Sequence, residues 1–299
     1  MENRKMLLKE YLETKKKIVD RALEEYLPKR GGFSSEISES MRYTLFAGGK
    51  RIRPVLCMAS AEAVGGSADT VLPVACAIEM IHTYSLIHDD LPLMDNDDYR
   101  RGKPSNHKVF GGGVAVLAGD ALLTEAFCLL SGKAPGLSPE KSLAIIHEIS
   151  AAAGFRGMIG GQVADLRAEG KEVNMKMVDY IHTHKTEALI TVSIRAGAIA
   201  AGAEEEDLNA LSEYGRKTGL AFQIADDILD IESCREILGK DTGSDEGSKK
   251  ATYPSLIGLE ESREETRRLV EDALSDINRF NEKAKPLRMI ARFIAERKS

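Results

Sequence analysis

The fold is decided by the stretch Leu220-Ala221-Phe222-Gln223-Ile224-Ala225-Asp226-Asp227-Ile228-Leu229-Asp230-Ile231. Apart from Gln223 and the three aspartates, every residue in it is apolar. At about 100° per residue, these four polar residues stand at i, i+3, i+4 and i+7, which puts them on one face of a helix. A helix this apolar is expected to be mostly buried, where charges must be paired or must bind a metal ion. The alternative is a surface helix, whose large apolar side chains would then lie exposed.

The same helical spacing recurs along the rest of the chain. Apolar residues return at helical intervals in the stretches 71–81 and 178–192, whereas the period-two alternation of strands is nearly absent. Glycine and proline breaks cut the chain into segments of about ten to thirty residues. Tryptophan is absent and aromatic residues make up only 5% of the chain, so the core is expected to be aliphatic. These patterns predict one all-helical domain over residues 1–299, a bundle of long helices around a central cavity.

The charge balance excludes some classes of function. With 41 basic and 47 acidic residues among 299, the formal net charge is −6, so the chain is not a polycation suited to nucleic acid or an anionic membrane. No uninterrupted apolar run reaches the length of a membrane span, and the residues after Met1 lack the features of an export signal. The four cysteines lack paired spacing, which favours reduced core thiols. We therefore expect a soluble cytoplasmic protein with no nucleic-acid partner and no stable membrane association.

A second acidic cluster lies between His88 and Asp98, where five carboxylates fall within ten residues. Carboxylates held close together raise each other's pKa unless a cation neutralises them. Magnesium suits such a site, because it prefers a few carboxylates together with water and substrate phosphate. A solvated acidic loop is the alternative for this cluster taken alone. Asp89 and Asp95 lie about 240° apart on a regular helix, so they share a face only if the helix is distorted, for which Pro92 supplies a reason.

The two clusters suggest carboxylate walls that face each other with a magnesium-bridged diphosphate between them, and cations stand where such a substrate would need them. Lys50, Arg51 and Arg53 follow a glycine pair at an expected helix start, where backbone N–H groups also favour anions. His82 lies seven residues before Asp89 and hence on the same helix face. Each of these cations could instead be a solvated surface charge.

Two further sites continue this pattern of cations. Arg100-Arg101 directly follows the first acidic cluster, and guanidinium groups match phosphate oxygens in paired fashion. Lys185 falls between Ile181 and Leu189 on the apolar stripe of its helix, so it needs a partner there. The alternative for Lys185 is that its ammonium group reaches past the apolar stripe to the helix surface.

Taken together, these motifs resemble those of the trans-isoprenyl diphosphate synthases. Asp89-Asp90-Leu91-Pro92-Leu93-Met94-Asp95 resembles the first aspartate-rich motif of that family in its bacterial form, and Asp226-Asp227-Ile228-Leu229-Asp230 resembles the second. The other family signatures follow in the usual order as Gly49-Lys50-Arg51-Ile52-Arg53-Pro54, Arg100-Arg101-Gly102-Lys103-Pro104, Gly161-Gln162-Val163-Ala164-Asp165, His184-Lys185-Thr186 and Lys250-Ala251-Thr252-Tyr253-Pro254. The resemblance covers nearly the whole chain, from about Met41 to Pro254 and more loosely beyond.

The resemblance implies a set of roles for these residues. The fold would be a single all-helical domain, usually a homodimer, that binds several Mg²⁺ ions on the diphosphate of an allylic substrate. The implied metal ligands are Asp89, Asp95 and Asp226, with Asp90 and Asp230 next. Isopentenyl diphosphate would be held by Lys50, Arg53, His82 and Arg101, and the allylic diphosphate by Arg100, Lys185, Lys240 and Lys250. The carbonyl or hydroxyl of Thr186 and the amide of Gln223 would face the developing allylic cation. Glu187 departs from the small residue often found at its position in this family.

The length of the product is also implied by the resemblance. In this family a bulky residue five positions before the first aspartate commonly stops chain growth, and here it is Tyr84, followed by the small Ser85. A helical wheel places Ser85 rather than Tyr84 most nearly beneath Asp89, so the role of Tyr84 depends on the resemblance. The implied product is (2E,6E)-farnesyl diphosphate, made from dimethylallyl through geranyl diphosphate.

Other functions stay open at this point. Geranylgeranyl diphosphate is the alternative product. Terpene cyclases and head-to-head synthases share aspartate-rich helices, but the cations at Lys50, Arg53 and Arg101 suit a second diphosphate. A non-catalytic subunit of a heteromeric synthase is an alternative of a different class, although such subunits usually have degraded aspartate motifs and both motifs are intact here.

Overall fold

The computed structural model describes residues 2–28, 31, 35–132, 136–238 and 252–297, and gives the backbone alone for 2–5 and 233–238. The helices of these residues are α1 (Glu2–Tyr26), α2 (Ser35–Leu45), α3 (Ile52–Ala63), α4 (Leu72–Asp89), α5 (Asn106–Phe110), α6 (Gly112–Ser131), α7 (Pro139–Ala153), α8 (Met158–Ala168), α9 (Met175–Ile181), α10 (Ala188–Ala201), α11 (Glu205–Leu238), α12 (Tyr253–Ile257), α13 (Leu259–Asp276) and α14 (Lys285–Glu296). A π-helical turn (His182–Glu187) joins α9 to α10, and a 3-10 segment (Asn278–Ala284) precedes α14. Two short antiparallel strands, β1 (Tyr99–Arg100) and β2 (Lys103–Pro104), follow α4. The predicted all-helical class is confirmed.

α4 is a central helix that is apolar nearly all round. Ile78, Ile81 and Ile87 are fully buried, and the helix packs against α3 and α6. Burial of one such side chain stabilises the fold by about 1.5–3 kcal/mol. Because α4 is held on several sides, Asp89 at its C-terminal end has a fixed position in the bundle.

α11 contains the apolar stretch from Leu220 to Ile231 with its three aspartates. Between Leu220 and Ile231 only Asp230 is exposed, so the predicted burial of this helix is confirmed. The helix packs against α10, α13 and the π-helical turn. A Cβ atom at Gly219 would lie 2.9 Å from Cγ of Glu187, so the glycine lets α11 approach that turn closely.

Two apolar clusters form the core. One surrounds α4 and includes side chains from α1, α6 and α7, whereas the other surrounds α11, α13 and α14. α3 and α10 contribute to both clusters and so join them. The π-helical turn before α10 lies close to both acidic motifs. The charge of Lys185 in this turn acts to lower the pKa of Asp89, and the hydroxyl of Thr186 donates a hydrogen bond to Gln223 on α11.

α6 combines a core face with an exposed apolar face. Among the described helices it is the one long and apolar enough to cross a membrane, judged by length and composition alone. Ala118 and Leu122 are fully buried against the core, while Val116 and Leu117 are 41% and 58% exposed. Cys128, which the sequence analysis expected among core thiols, is exposed. α6 is therefore a helix of the bundle whose outer apolar side chains have no cover within the described residues.

Candidate active site

The first acidic cluster begins where α4 ends, at Asp89. The backbone then turns back, and the N–H of Asp95 donates to the carbonyl oxygen of Asp89 at 2.8 Å. Met94 and Asn96 both donate to the carbonyl oxygen of Leu91, and Asn96 adopts a left-handed conformation with φ 54°. The distortion predicted for this motif is therefore a helix end followed by a tight turn, which brings Asp89 and Asp95 together.

The carboxyl group of Asp89 has surroundings that disfavour its charge. Burial raises the pKa of Asp89 to about 6, against the opposing effect of Lys185 and with a further increase from Asp95. An additional cation beside Asp89 and Asp95 would favour the charged forms and reverse this shift. The pair is therefore suited to a ligand that brings positive charge.

Asp90 and Arg100 are bonded to each other. Asp90 is only 1% exposed, and its Oδ1 accepts from Nε of Arg100 at 2.9 Å. Nη2 of Arg100 also donates to Asp97 at 3.2 Å. Asp90 thus holds the guanidinium group of Arg100 through Oδ1, while its buried Oδ2 has no hydrogen-bond partner among the described residues. The roles predicted for Asp90 in metal binding and for Arg100 on the allylic diphosphate stay predictions.

The three aspartates of α11 have three different surroundings. Oδ1 of Asp226 accepts from Nη1 of Arg297 at 2.6 Å, and the guanidinium carbon of Arg297 lies 5.1 Å from the ring centre of Phe222. Asp227 is buried, whereas Asp230 is exposed. The acidic face predicted for this helix is therefore divided between a paired, a buried and an exposed carboxylate.

A network of hydrogen bonds connects the buried Asp227 to the π-helical turn. Nε2 of Gln223 donates to Oδ1 of Asp227 at 3.0 Å, and the hydroxyl of Thr186 donates to Oε1 of Gln223 at 2.8 Å. Oδ2 of Asp227 accepts from the backbone N–H of Tyr253 at 3.3 Å and lies 3.3 Å from Nε2 of His182. Burial raises the pKa of Asp227 to about 7 and lowers the pKa of His182 to about 4. The network therefore fixes the side chains of Gln223 and Thr186 in one arrangement.

The π-helical turn places Lys185 beside the cavity and gives it a partner. Nζ of Lys185 donates to Oδ2 of Asp165 at 2.5 Å, which is the partner that the sequence analysis required. A Cβ atom at Gly161 would lie 2.3 Å from the backbone nitrogen of Lys185, so the glycine of this motif permits close contact between α8 and the turn. Glu187 is buried, which raises its pKa to about 7, and it accepts a hydrogen bond from Thr191 at 3.0 Å. Single π-helical turns of this kind occur often at functional sites.

Three predicted substrate-binding cations crowd together near the start of α3. Nη1 of Arg53 lies 3.5 Å from Nε2 of His82. Burial, together with Arg53 and Arg101, holds the pKa of His82 well below its ordinary value, and burial also lowers the pKa of Arg53. Arg101 donates to the carbonyl oxygen of Gly48, and a Cβ atom at Gly49 would lie within 2.5–2.8 Å of its guanidinium group. Gly49 has a φ of 111°, which residues with a side chain rarely adopt, and the crowded positive charges are suited to an anion.

A cavity of about 440 Å³ lies beside these groups. Its lining is mostly apolar with a few charged and polar groups, as in small-molecule sites generally. It is lined by Arg53, His82, Tyr84, Ser85, Leu86, His88, Asp89, Met94, Met158, Ile159, Gln162, Val163, Leu166, Lys185 and Thr186. Tyr84 and Ser85 both line it, so the structure does not choose between the two residues predicted to control chain length.

The donor set fits magnesium only if a ligand supplies further oxygen atoms. Within the described parts of the chain, no three His, Cys, Asp or Glu side chains come together as a preformed metal site. Asp89 and Asp95 form a pair, and Asp226 is bonded to Arg297. Magnesium commonly uses one or two carboxylates together with water and phosphate oxygens, so this arrangement suits a metal that arrives with a diphosphate.

Three predicted substrate-binding lysines remain, namely Lys50, Lys240 and Lys250. Lys50 is exposed, with Nζ 6.0 Å from the ring centre of Phe293. Lys240 and Lys250 lie outside the described residues. The contact of Arg297 with the second motif is not predictable from the sequence, since no local pattern links two residues 71 positions apart.

Comparison with known proteins agrees with the site. Residues 34–291 match the family model for polyprenyl synthetase. The chain is 48% identical over 288 residues to a geranylgeranyl diphosphate synthase of Cyanophora paradoxa, covering 96% of this chain and 95% of that one. It is 45% identical over 291 residues to a farnesyl diphosphate synthase of Geobacillus stearothermophilus, covering 97% and 98%. A crystal structure of an FPP/GFPP synthase from Zymomonas mobilis superimposes with a TM-score of 0.86 at 38% identity, covering 98% and 99%.

The fold and the two aspartate motifs, with a cavity at the first of them, are thus those of an isoprenyl diphosphate synthase. The chain belongs to the polyprenyl synthetase family and is a prenyltransferase.

Proposed function

We propose that this enzyme condenses isopentenyl diphosphate head-to-tail with dimethylallyl and geranyl diphosphates to give (2E,6E)-farnesyl diphosphate. The observation that carries the proposal is a mostly apolar cavity lined by charged groups of both signs, among them Asp89, Lys185 and Arg53. Arg101 adds a further cation near His82, whose pKa it helps to lower. We infer that Lys185 and a metal ion on Asp89 bind one diphosphate and that Arg53 and Arg101 bind a second, which a cyclase acting on one diphosphate does not need.

The chemistry asked of this site is ionisation of the allylic carbon–oxygen bond. Magnesium held by Asp89, Asp95 and Asp226 would neutralise charge on the departing diphosphate. Lys185 stands at the cavity to stabilise the same charge, and a site closed to water strengthens that effect. The alkene of isopentenyl diphosphate then attacks the allylic cation, and the departed diphosphate takes the proton that the adduct loses as the new double bond forms. This reaction needs no protein nucleophile.

Chain length is the finer part of the proposal. The farnesyl synthase of Geobacillus stearothermophilus supports a farnesyl product, and Tyr84 supports it as a bulky, 5% exposed side chain on the cavity wall. Geranylgeranyl diphosphate is the second candidate, favoured by the similarity to the Cyanophora paradoxa enzyme.

Radiolabelled isopentenyl diphosphate, supplied with Mg²⁺ and each allylic primer in turn, tests the proposed function. We expect incorporation with dimethylallyl and geranyl primers, farnesol after dephosphorylation, and no product from farnesyl diphosphate alone. Geranylgeraniol as the main product would support the second candidate. Cyclic products from farnesyl diphosphate alone would indicate a cyclase, and an absence of incorporation by the folded protein would favour a non-catalytic subunit.

Replacement of Tyr84 by alanine is expected to lengthen the product. The Tyr84 ring contacts His88 edge-on at 5.7 Å, so its removal would extend the apolar cavity beyond the present wall. Chromatography of the dephosphorylated products measures the effect. Tyr84→Phe is the matched control, since it keeps the ring and should leave chain length unchanged. If Tyr84→Ala makes the same product as the parent enzyme, Tyr84 does not set chain length.

A homodimer is part of the same proposal. The exposed apolar face of α6 supports it, because such a face on a soluble protein commonly marks an interface. Sedimentation of the protein should give twice the mass of one chain, and Leu117→Glu on that face should shift it toward the monomer. A monomeric parent protein at micromolar concentration would contradict the dimer.

We also propose a cytoplasmic location, which is compatible with the unpaired Cys57 and Cys76 thiols.

A further inference from the structure

Thr186 stands at the end of a hydrogen-bond chain that begins at a buried carboxylate. Asp227 accepts from Gln223 at 3.0 Å, and Gln223 in turn accepts from the Thr186 hydroxyl at 2.8 Å. Thr186 lines the cavity, with Asp89 and Lys185 among its other lining residues. The direction of each bond therefore decides what Thr186 presents to a substrate.

The direction is fixed by the chemistry of the groups. Oδ2 of Asp227 accepts from the backbone N–H of Tyr253 and Oδ1 accepts from the NH₂ group of Gln223, so the amide oxygen of Gln223 is turned to Thr186. The hydroxyl has a single proton, which it gives to that oxygen. The remaining lone pairs of Thr186 Oγ1 are then the part left for the cavity.

The other side of Asp227 is held as well. The backbone N–H of Tyr253 donates to Oδ2, and Nε2 of His182 lies 3.3 Å from the same oxygen. His182 is neutral at pH 7, because burial lowers its pKa to about 4. Nδ1 of the ring is buried with no hydrogen-bond partner among the described residues, so the proton is placed on Nε2, which faces Asp227. Oδ2 thus has two donors, and Oδ1 is left for Gln223.

We propose that Asp227 is a positioning residue that sets the polarity of Thr186, so that the hydroxyl presents lone pairs and never its proton to the allylic carbon as positive charge develops. This inference rests on the proposed function, since an allylic cation is the species that such lone pairs stabilise. A dipole fixed before the reaction acts without reorganisation, which is how prearranged polar groups lower a barrier. The family resemblance implies that Thr186 and Gln223 face the cation, and it assigns no such role to Asp227.

Asp227→Asn tests the direction of the chain. Because the Oδ2 side faces two donors, the asparagine must keep its oxygen there and turn its NH₂ group to Gln223. Gln223 then accepts from Asn and turns its own NH₂ group to Thr186, whose proton is driven toward the cavity. We expect the single-turnover rate with geranyl diphosphate to fall by about 10²-fold.

Adding Gln223→Glu to Asp227→Asn should restore the polarity. The new carboxylate accepts from the asparagine NH₂ group and from the Thr186 hydroxyl, and the total charge equals that of the parent enzyme. We expect most of the lost rate to return. In a Thr186→Val background, Asp227→Asn should cost almost nothing further, because residues that act through one another are not additive. Thermal unfolding of every variant checks that it folds.

Binding supplies a readout apart from turnover. An ammonium analogue of geranyl diphosphate carries the charge of the cation, whereas the neutral thiolo analogue does not. The ratio of their Kd values should favour the ammonium analogue in the parent enzyme, shift by roughly tenfold in Asp227→Asn, and return in the double variant. If the single and double variants have equal rates and equal Kd ratios, Asp227 does not set the polarity of Thr186. If the parent enzyme itself joins no allylic primer to isopentenyl diphosphate, the proposed function fails, independently of these ratios.

Discussion

Asp89→Asn is expected to lower the rate of condensation by about 10³-fold, because loss of one prearranged charge at a reacting centre commonly costs that much. The substitution keeps the shape of the side chain and removes its charge. Asp89 lies at the end of α4, and its backbone carbonyl accepts a hydrogen bond from Asp95, so its loss leaves a magnesium ion with one carboxylate fewer at this turn. Steady-state rates measured over a magnesium titration should show both a lower maximum and a higher magnesium requirement.

Asp98→Asn is the matched control, since it makes the same change in the same acidic cluster. Asp98 is exposed, and Lys108 donates to its Oδ1 at 2.7 Å, away from the cavity-lining groups. Surface changes of this kind usually alter stability by less than about 0.5 kcal/mol. Similar losses of rate in both variants, or no loss of rate in Asp89→Asn, would indicate that the cluster is a solvated acidic loop.

The helical class and the buried acidic helix were predictable from sequence because both depend on local periodicity. From Leu220 to Ile231 every position but four is apolar, which predicts a buried helix. In the structure only Asp230 of this stretch is exposed. The wheel also placed Gln223 and Asp227 one turn apart, and the structure joins them by a hydrogen bond.

The first cluster was predictable in content but not in shape. A wheel correctly excludes Asp89 and Asp95 from one face of a regular helix, yet it cannot say how the chain resolves the conflict. The answer depends on backbone bonds after α4 and on the left-handed Asn96, which a linear pattern does not encode. Ion pairs are harder still to predict from sequence. The pairs Asp90–Arg100 and Asp226–Arg297 depend on tertiary packing between separate elements.

The sequence also does not predict the different environments of the neighbouring cations in the run Lys50-Arg51-Ile52-Arg53. Lys50 is exposed, Arg53 lines the cavity, and Arg51 is 2% exposed with a left-handed φ of 53°. Their order in the sequence gives no sign of this. The reversal at Arg51, just before α3 begins, is what turns one guanidinium into the core.

Arg51→Met is expected to destabilise the folded protein by about 3–5 kcal/mol, the usual cost of breaking a buried ion pair from one side. Nη1 of Arg51 donates to Glu79 at 2.7 Å, and Glu79 is itself only 2% exposed in the middle of α4. Nε donates to Asp20 at 2.8 Å and Nη2 to the carbonyl oxygen of Leu45 at 2.6 Å, so one side chain ties α1, α2 and α4 together. Denaturant unfolding followed by circular dichroism measures the change.

The neighbours of Arg51 separate a structural cation from a substrate-binding one. Lys50→Met should leave unfolding unchanged within about 0.5 kcal/mol while raising KM for isopentenyl diphosphate, because Lys50 is exposed. Arg51→Met combined with Glu79→Leu should recover most of the lost stability, since well-packed apolar residues replace buried ion pairs at little cost. If the double variant is as unstable as Arg51→Met alone, the loss comes from the broken ties to Asp20 and Leu45. In that case the stranded charge of Glu79 is not what makes this position intolerant, and the guanidinium group matters as a cross-link between helices.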